Sequence, residues 1–333
     1  MPLTQLNFQP GLDTENTPTG AEGRWVDGDK IRFRKGLPQK IGGWTKFSAD
    51  YYVGVGRALE QWYSLDGSRY EALGTDRKIY VYQSGDNQDI TPIRSTDALV
   101  NAITTTNTSN VVTISDTSHG ALLGDFVTLS SVSADVGGIS AATLDGEYEI
   151  LSISNVNAYT IQSSATATSS VGPTANCTAT YQLNIGPSIQ TFGYGWGAST
   201  WGASTWGTPR STSSVILDAR LWSINNWGED LIITEKDGGT YEWDLSLGMS
   251  TNRATAIANA PTTSTLSLVS TETRHVICMG TELTIGDNTT LDKMFIRWSD
   301  QENYNFWTPN VTNSAGSQRI AGGSEIRCAR PAK

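Results

Sequence analysis

YEALGTDRKIYVYQSG, residues 70–85, reads as an apolar strand, a tight polar turn and an aromatic strand. DLIITEKDGGTYEWDLS, residues 230–246, repeats the plan, with an Asp-Gly turn between an aliphatic and an aromatic strand. A looser third copy runs from HVICMGTEL (275–283) to KMFIRWSD (293–300). Recurring units of about 40–50 residues with four strands each are the mark of propeller blades. The fold expected from this recurrence is all-β and β-propeller-like, with a long-stranded sandwich as the competing architecture.

A second kind of sequence interrupts the recurrence. Between Arg94 and Arg210 there is no Lys or Arg, while Asp97, Asp116, Asp125, Asp135, Asp145, Glu147 and Glu149 all fall there. So sharp a shift in charge suggests an inserted module. Its local signals are β: VVTIS (111–115), DFVTLSSV (125–132), GEYEILSIS (146–154), AYTIQSS (158–164) and TATYQL (178–183) alternate with Gly- and Asn-rich turns. Five or six such strands make a small β-sandwich or β-barrel. The chain therefore divides into an N-terminal segment and first blade (1–97), the inserted domain (98–186), and a Gly/Trp-rich linker with further blades (187–333). Without the insert, roughly 245 residues remain, enough for five or six blades.

Composition narrows the classes of function. The chain has 333 residues, 33 of them Gly, and only 17% are charged, which favours short strands and turns over long helices. No apolar run approaches the roughly 18 residues of a membrane helix, so no membrane insertion is expected. The opening MPLTQLNFQPGLD lacks the basic and apolar regions of a secretory signal. Cys177, Cys278 and Cys328 are widely spaced and without a CxxC, which argues against a disulfide framework. A formal charge of −10 argues against general DNA binding, since phosphate neutralisation needs clustered Lys and Arg.

Catalytic and metal motifs are sparse. There is no phosphate-cradling GxxxxGK[ST], no HExxH and no GxSxG, and His119 and His275 lie far apart, so no cofactor and no metal are expected. Carboxylate pairs occur at Asp27/Asp29 and at Asp145/Glu147/Glu149, but Glu147 and Glu149 alternate with Tyr148 and Ile150, which places them on the wet face of one strand. His119, in DTSHGALLGDF, reads as a hydrogen-bonding group of a turn.

Two segments are candidates for protein docking. Lys30, Arg32 and Arg34 alternate with Ile31 and Phe33, giving one strand a basic and an apolar face, either simply solvated or contacting an acidic partner or phosphates. In GYGWGASTWGASTWGTPR (193–210), Trp196, Trp201 and Trp206 recur every five residues, a period that fits neither a helix nor a strand face. Packing onto neighbouring blades, an exposed aromatic surface and a sugar-stacking loop are the three readings of that segment.

The stretches LNFQPGLDTENTPTGAEGRWVDGDKIRFRKGLPQKIGGW (6–44) and GRALEQWYSLDGSRYEALGTDRKIYVYQSGDNQDITP (56–92) resemble structural proteins of tailed bacteriophages. The likeness continues through VVTISDTSHGALLGDFVTLS (111–130), GGISAATLDGEYEILSISNVNAYTIQ (137–162), the Gly/Trp segment and IRWSDQENYNFWTP (296–309). The family is that of the nozzle, or distal tail-tube, subunits of short-tailed phages, including the packaged-DNA stabilisation proteins. The resemblance implies a virion tail protein made in the host cytoplasm and a homo-oligomeric, commonly hexameric ring. It also implies contacts with an adaptor, fibres or a needle, and passage of double-stranded DNA without specific binding. Chains of that family usually run past the point matching GGSEIRCARPAK (322–333), so missing closing blades, a shortened relative and a fragment are the three readings, and an unclosed last blade would expose a strand edge. SDQENYNFW (299–307) also resembles the Asp-box turn of sialidase propellers, without its glycine. The function expected is a non-enzymatic component of the tail tube or nozzle. A glycan- or receptor-binding module of a tail fibre or tailspike is the alternative, and a polysaccharide hydrolase is a third class.

Overall fold

The computed structural model describes residues 8–43, 45–46, 48–190, 218–249 and 252–330. Residues 1–49 form one compact unit and residues 50–333 another. In the first, β1 (Gln9–Leu12) pairs in parallel with β2 (Arg24–Trp25). β3 (Ile31–Arg34) and β4 (Leu37–Lys40) form a hairpin around Lys35 and Gly36, whose φ of 52° and 81° are the left-handed values a two-residue turn requires.

The second unit contains three antiparallel meanders of four strands, each in chain order. They are β5 (Gly56–Tyr63), β6 (Arg69–Thr75), β7 (Ile79–Gln83) and β8 (Asp86–Asp89), and, beyond an eight-stranded domain, two more. The eight-stranded domain comprises β9 (Ile93–Leu99), β10 (Ile103–Thr105), β11 (Val111–Ser115), β12 (Phe126–Ser130), β13 (Gly146–Asn155), β14 (Ala158–Gln162), β15 (Val171–Thr174) and β16 (Cys177–Gln182). The second meander is β17 (Trp222–Trp227), β18 (Asp230–Glu235), β19 (Thr240–Trp243) and β20 (Thr255–Ala256). The third is β21 (Leu266–Val269), β22 (Val276–Met279), β23 (Phe295–Trp298) and β24 (Gly316–Arg319). The strand pairs read from sequence are thus the middle of each sheet, β6–β7, β18–β19 and β22–β23. The fold is all-β and propeller-like, with a small β domain inserted.

Three four-stranded sheets occur among the described residues, against the five or six that chain length allowed. The first 49 residues belong to the other unit. The third sheet also takes up long irregular stretches, 280–294 and 299–315, between its strands. The third sheet, residues 266–319, therefore uses more chain than the first, residues 56–89.

Side-chain alternation explains the stacking. Leu231 and Ile233 of β18 pack with Trp243, Trp222, Trp62, Tyr70 and Ile79 in the core between the first two sheets, while Ile232 points the other way, toward Val276, Cys278 and Trp307. A strand buried on both faces needs a continuous apolar run, which LIIT supplies. Each such side chain contributes about 1.5–3 kcal/mol by leaving water. The first two sheets touch at Gly74, where a Cβ would lie 2.6 Å from Cδ1 of Trp222. Trp222 is held there because its Nε1 donates to the Thr75 carbonyl at 2.6 Å.

The Ser299–Trp307 turn closes the third sheet. Asp300 accepts from the backbone N–H of Gln301 at 2.9 Å and from both N–H and Oγ of Ser314 at 2.7 Å. Those bonds, the Ser314 backbone bond first, hold its carboxyl below the usual carboxylate range. The turn drives Trp307 into the core, fully buried, with Nε1 donating to Tyr304 O at 2.6 Å.

The inserted domain is one curled, half-barrel sheet in the order β15-β10-β11-β14-β13-β12-β16-β9. Its long strand β13 pairs through Gly146–Glu149 with β12 and through Ile150–Asn155 with β14, so one strand serves both halves, with register shifts where it bends. Its core, around Ile114, Val127, Leu129, Leu144, Ile150, Tyr159, Ile161 and Tyr181, shares no residue with the cores of the stacked sheets.

Candidate functional site

The β3–β4 hairpin carries two of the three basic candidates on one face. Arg32 and Arg34 are exposed while Ile31 and Phe33 are half-buried, the alternation that a one-sided strand requires. Lys30 lies one residue before the strand, at φ 55°, with its ammonium 3.7 Å from Asp29. Arg32 Nε donates to Gln39 Oε1 across the hairpin at 3.2 Å, and Leu37 at the turn is exposed. Trp196, Trp201 and Trp206 lie outside the described residues.

A denser cluster sits where the inserted domain meets the first two sheets. The β6–β7 turn sets it: Thr75 N–H donates to Lys78 O, and Lys78 N–H returns a bond to Thr75 Oγ1, both at 2.8 Å. This tight loop presents Arg77 and Lys78 side by side to the insert. Lys78, almost fully buried, pairs with Asp89 at 2.9 Å and with Glu147, and its Nζ lies 4.1 Å from the centre of the Phe126 ring. Arg77 flanks the same ring at 5.1 Å and binds Glu149 at 2.5 Å and Gly124 O at 2.9 Å. From the second sheet Arg253 reaches Asp89 at 3.3 Å, Glu147 at 3.6 Å and Thr91 O at 3.0 Å. Gln182 Nε2 donates to Asp89 at 3.2 Å and Glu147 at 2.5 Å, which fixes the orientation of its amide. Its Oε1 is buried without a hydrogen-bond partner among the described residues.

Three cations thus meet three carboxylates. Burial acts to raise the Asp89 pKa, but Arg253 and Lys78 outweigh it and hold the carboxyl below its usual range. Glu147 and Glu149 do lie on the strand face opposite the Ile150 core, as their alternation implies, yet that face looks onto Lys78 and Arg77. No local signal could have paired residues 77, 78, 147, 149 and 253. The nearest hint was two acids two positions apart on one strand, matched by two adjacent cations elsewhere.

A second charged group surrounds a cavity of about 320 Å³ lined by Pro187, Asp218, Ala219, Arg220, Glu235, Lys236 and Asp237. Arg220 pairs with Glu235 at 2.8 Å, and Lys236 binds Asp218. Burial raises the Glu235 pKa against the pull of Arg220. A more open cleft of about 420 Å³ between the first two sheets gathers Ser64, Asp66, Tyr70, Gln83, Glu229 and Ser246.

His119 serves its turn. Nδ1 accepts the Ala121 N–H at 3.0 Å, so the proton resides on Nε2, which lies 3.2 Å from Asn155 O. Beside it, Tyr181 donates to Asp116 at 2.5 Å, and burial pushes the Tyr159 and Tyr181 pKa values up. Among the described residues no group of three His, Cys, Asp or Glu side chains is placed to hold a metal ion.

No family model matches the chain. No curated protein matches it either. Among solved structures, the phage phi92 endosialidase is similar to 87% of this chain at 13% identity with a TM-score of 0.24. This chain spans 41% of that protein's length, and a likeness of this size carries no argument about activity.

Proposed function

We propose that the chain is a non-enzymatic structural component of a bacteriophage tail, acting at the tube or nozzle as a docking platform and conduit wall. The observation that carries the reading is where the phage-like stretches fall. Residues 6–44 include the basic hairpin, residues 56–92 span the first four-stranded sheet, and residues 296–309 form the turn that buries Trp307. In this reading Lys30, Arg32 and Arg34 face an acidic neighbour in the tail, and six copies form a ring. The ring's summed negative charge keeps passing DNA from adhering to its walls. Light scattering and negative-stain images of the purified protein test this. A closed ring supports it; a monomer that stays single with its tail neighbours present overturns it. Changing Lys30, Arg32 and Arg34 to Glu abolishes assembly if the hairpin docks, and unimpaired assembly refutes that role.

The second reading is a glycan-binding module of a tail fibre or tailspike. The cleft at Asp66, Gln83 and Glu229 favours it, because carboxylates and amides converge there as a sugar's hydroxyls demand. Oligosaccharide binding by a single subunit, lost on Glu229→Ala, would select this reading.

A further inference from the structure

We propose that the inserted eight-stranded domain is a rigid body hinged at residues 91–92 and at Leu183, held against the stacked sheets by a charge latch of Lys78, Asp89, Glu147, Gln182 and Arg253. The two sides have separate apolar cores with no residue in common. The chain crosses between them twice, and the crossings lie together, Leu183 N–H donating to Pro92 O at 3.0 Å. On the propeller side the crossings are anchored. Ile90 is fully buried in the core of the first two sheets, and its carbonyl accepts the Ala254 N–H at 3.0 Å. On the insert side β9 and β16 begin the sheet at once, with Ile93 paired to Gln182. The hinge is therefore the short stretch between two rigid anchors.

What spans the boundary beyond those crossings is polar. Across it the latch supplies three charge-assisted contacts, Lys78 and Arg253 to Glu147 and Gln182 Nε2 to Asp89, while Arg77 adds Glu149 and Gly124 O, and Asp125 accepts the Ile185 N–H at 2.8 Å. The buried ring of Phe126 lies here, and Arg77 and Lys78 both approach it. An apolar seam holds equally well at any ionic strength, but a seam of ion pairs weakens as salt screens it. Glu147 is about one-third exposed, so solvent ions reach the latch from its side. The unpartnered Gln182 Oε1 marks the same seam as imperfectly satisfied, the condition under which a boundary opens before a core does. Opening swings the insert without unfolding either body.

The test is amide hydrogen exchange with small-angle scattering on the full chain, in about 0.1 M and about 1 M salt, where the screening length falls from about 10 Å to about 3 Å. The latch predicts that exchange of the Ile185 amide, which Asp125 binds across the seam, rises about tenfold in high salt, the scale of one lost pairwise coupling, and that the radius of gyration grows. Amides of β11 and β14, inside the insert, and of β18, inside the stack, keep their protection. Lys78→Met gives the same local signature in low salt. If that variant fails to fold, the salt series on the unaltered protein still decides. Unchanged exchange at the seam, or loss of protection at the seam and in both cores together, overturns the hinge.

Discussion

Replacing Gly74 by alanine tests the stacking of the first two sheets at a point where they touch. The new Cβ would lie 2.6, 2.9 and 3.1 Å from Cδ1, Cγ and Cβ of Trp222. The indole has no easy retreat, because Nε1 is bonded to Thr75 O and the Arg220 guanidinium lies 5.5 Å from the ring centre. Two effects oppose each other. Alanine restricts the unfolded chain and so stabilises by about 0.4–1 kcal/mol. Overpacking a filled contact costs about 1–3 kcal/mol, and with three atoms under pressure the steric term wins. The net loss is about 1–2 kcal/mol, or a fall in Tm of about 2–8 °C for a unit of this size. Gly172→Ala is the matched control: Gly172 also lies within a strand, but nothing stands within 4 Å of its Cβ position. Scanning calorimetry of both variants reads the difference. Equal melting temperatures for the two would refute the argument that the Gly74–Trp222 contact holds the sheets in register.

Trp307→Ala removes a fully buried indole from the core between the second and third sheets and is expected to cost about 3–5 kcal/mol, read as a lowered denaturant midpoint. Acid should weaken the seam through Asp89. Its carboxyl is depressed in the folded state, so the stability it contributes is present above the unfolded pKa and is lost as pH falls through the folded value, below about 4. Asp89→Asn should flatten that acid limb of the stability profile, and an unchanged limb would count against the pairing. Cys177 and Cys278 are buried with thiols pushed up to about 11, so a thiol reagent at neutral pH should modify Cys328 alone in the folded protein and all three cysteines in denaturant.

Strand pairs with strong alternation or continuous apolar runs were legible in the sequence, because burial on one face or two writes itself into local order. The outer strands were not. DNQD in β8, TA in β20 and GSQR in β24 are polar edge strands, whose hydrogen bonds come from a neighbour already in place rather than from their own composition. Fewer four-stranded sheets occur among the described residues than chain length allowed, because the first 49 residues belong to another unit and the third sheet spends long stretches between its strands. The alternation of β3 was legible, but its pairing with β4 and the left-handed Lys30 that precedes it were not. The seam around Lys78 was beyond reach, because its partners Glu147 and Arg253 are brought to it only by the stacking of three separate sheets.

The pairing of Ile93 with Gln182 has a consequence for how such a chain can change over time. The inserted domain leaves and rejoins its host at two points only one strand spacing apart, about 4.5–5.5 Å. Removing it and joining the cut ends would ask the host for little more than a tight loop. Any foreign cassette whose termini emerge from adjacent antiparallel strands would fit the same socket. The architecture thereby separates a conserved-geometry chassis from an exchangeable head, and recombination can trade one without redesigning the other.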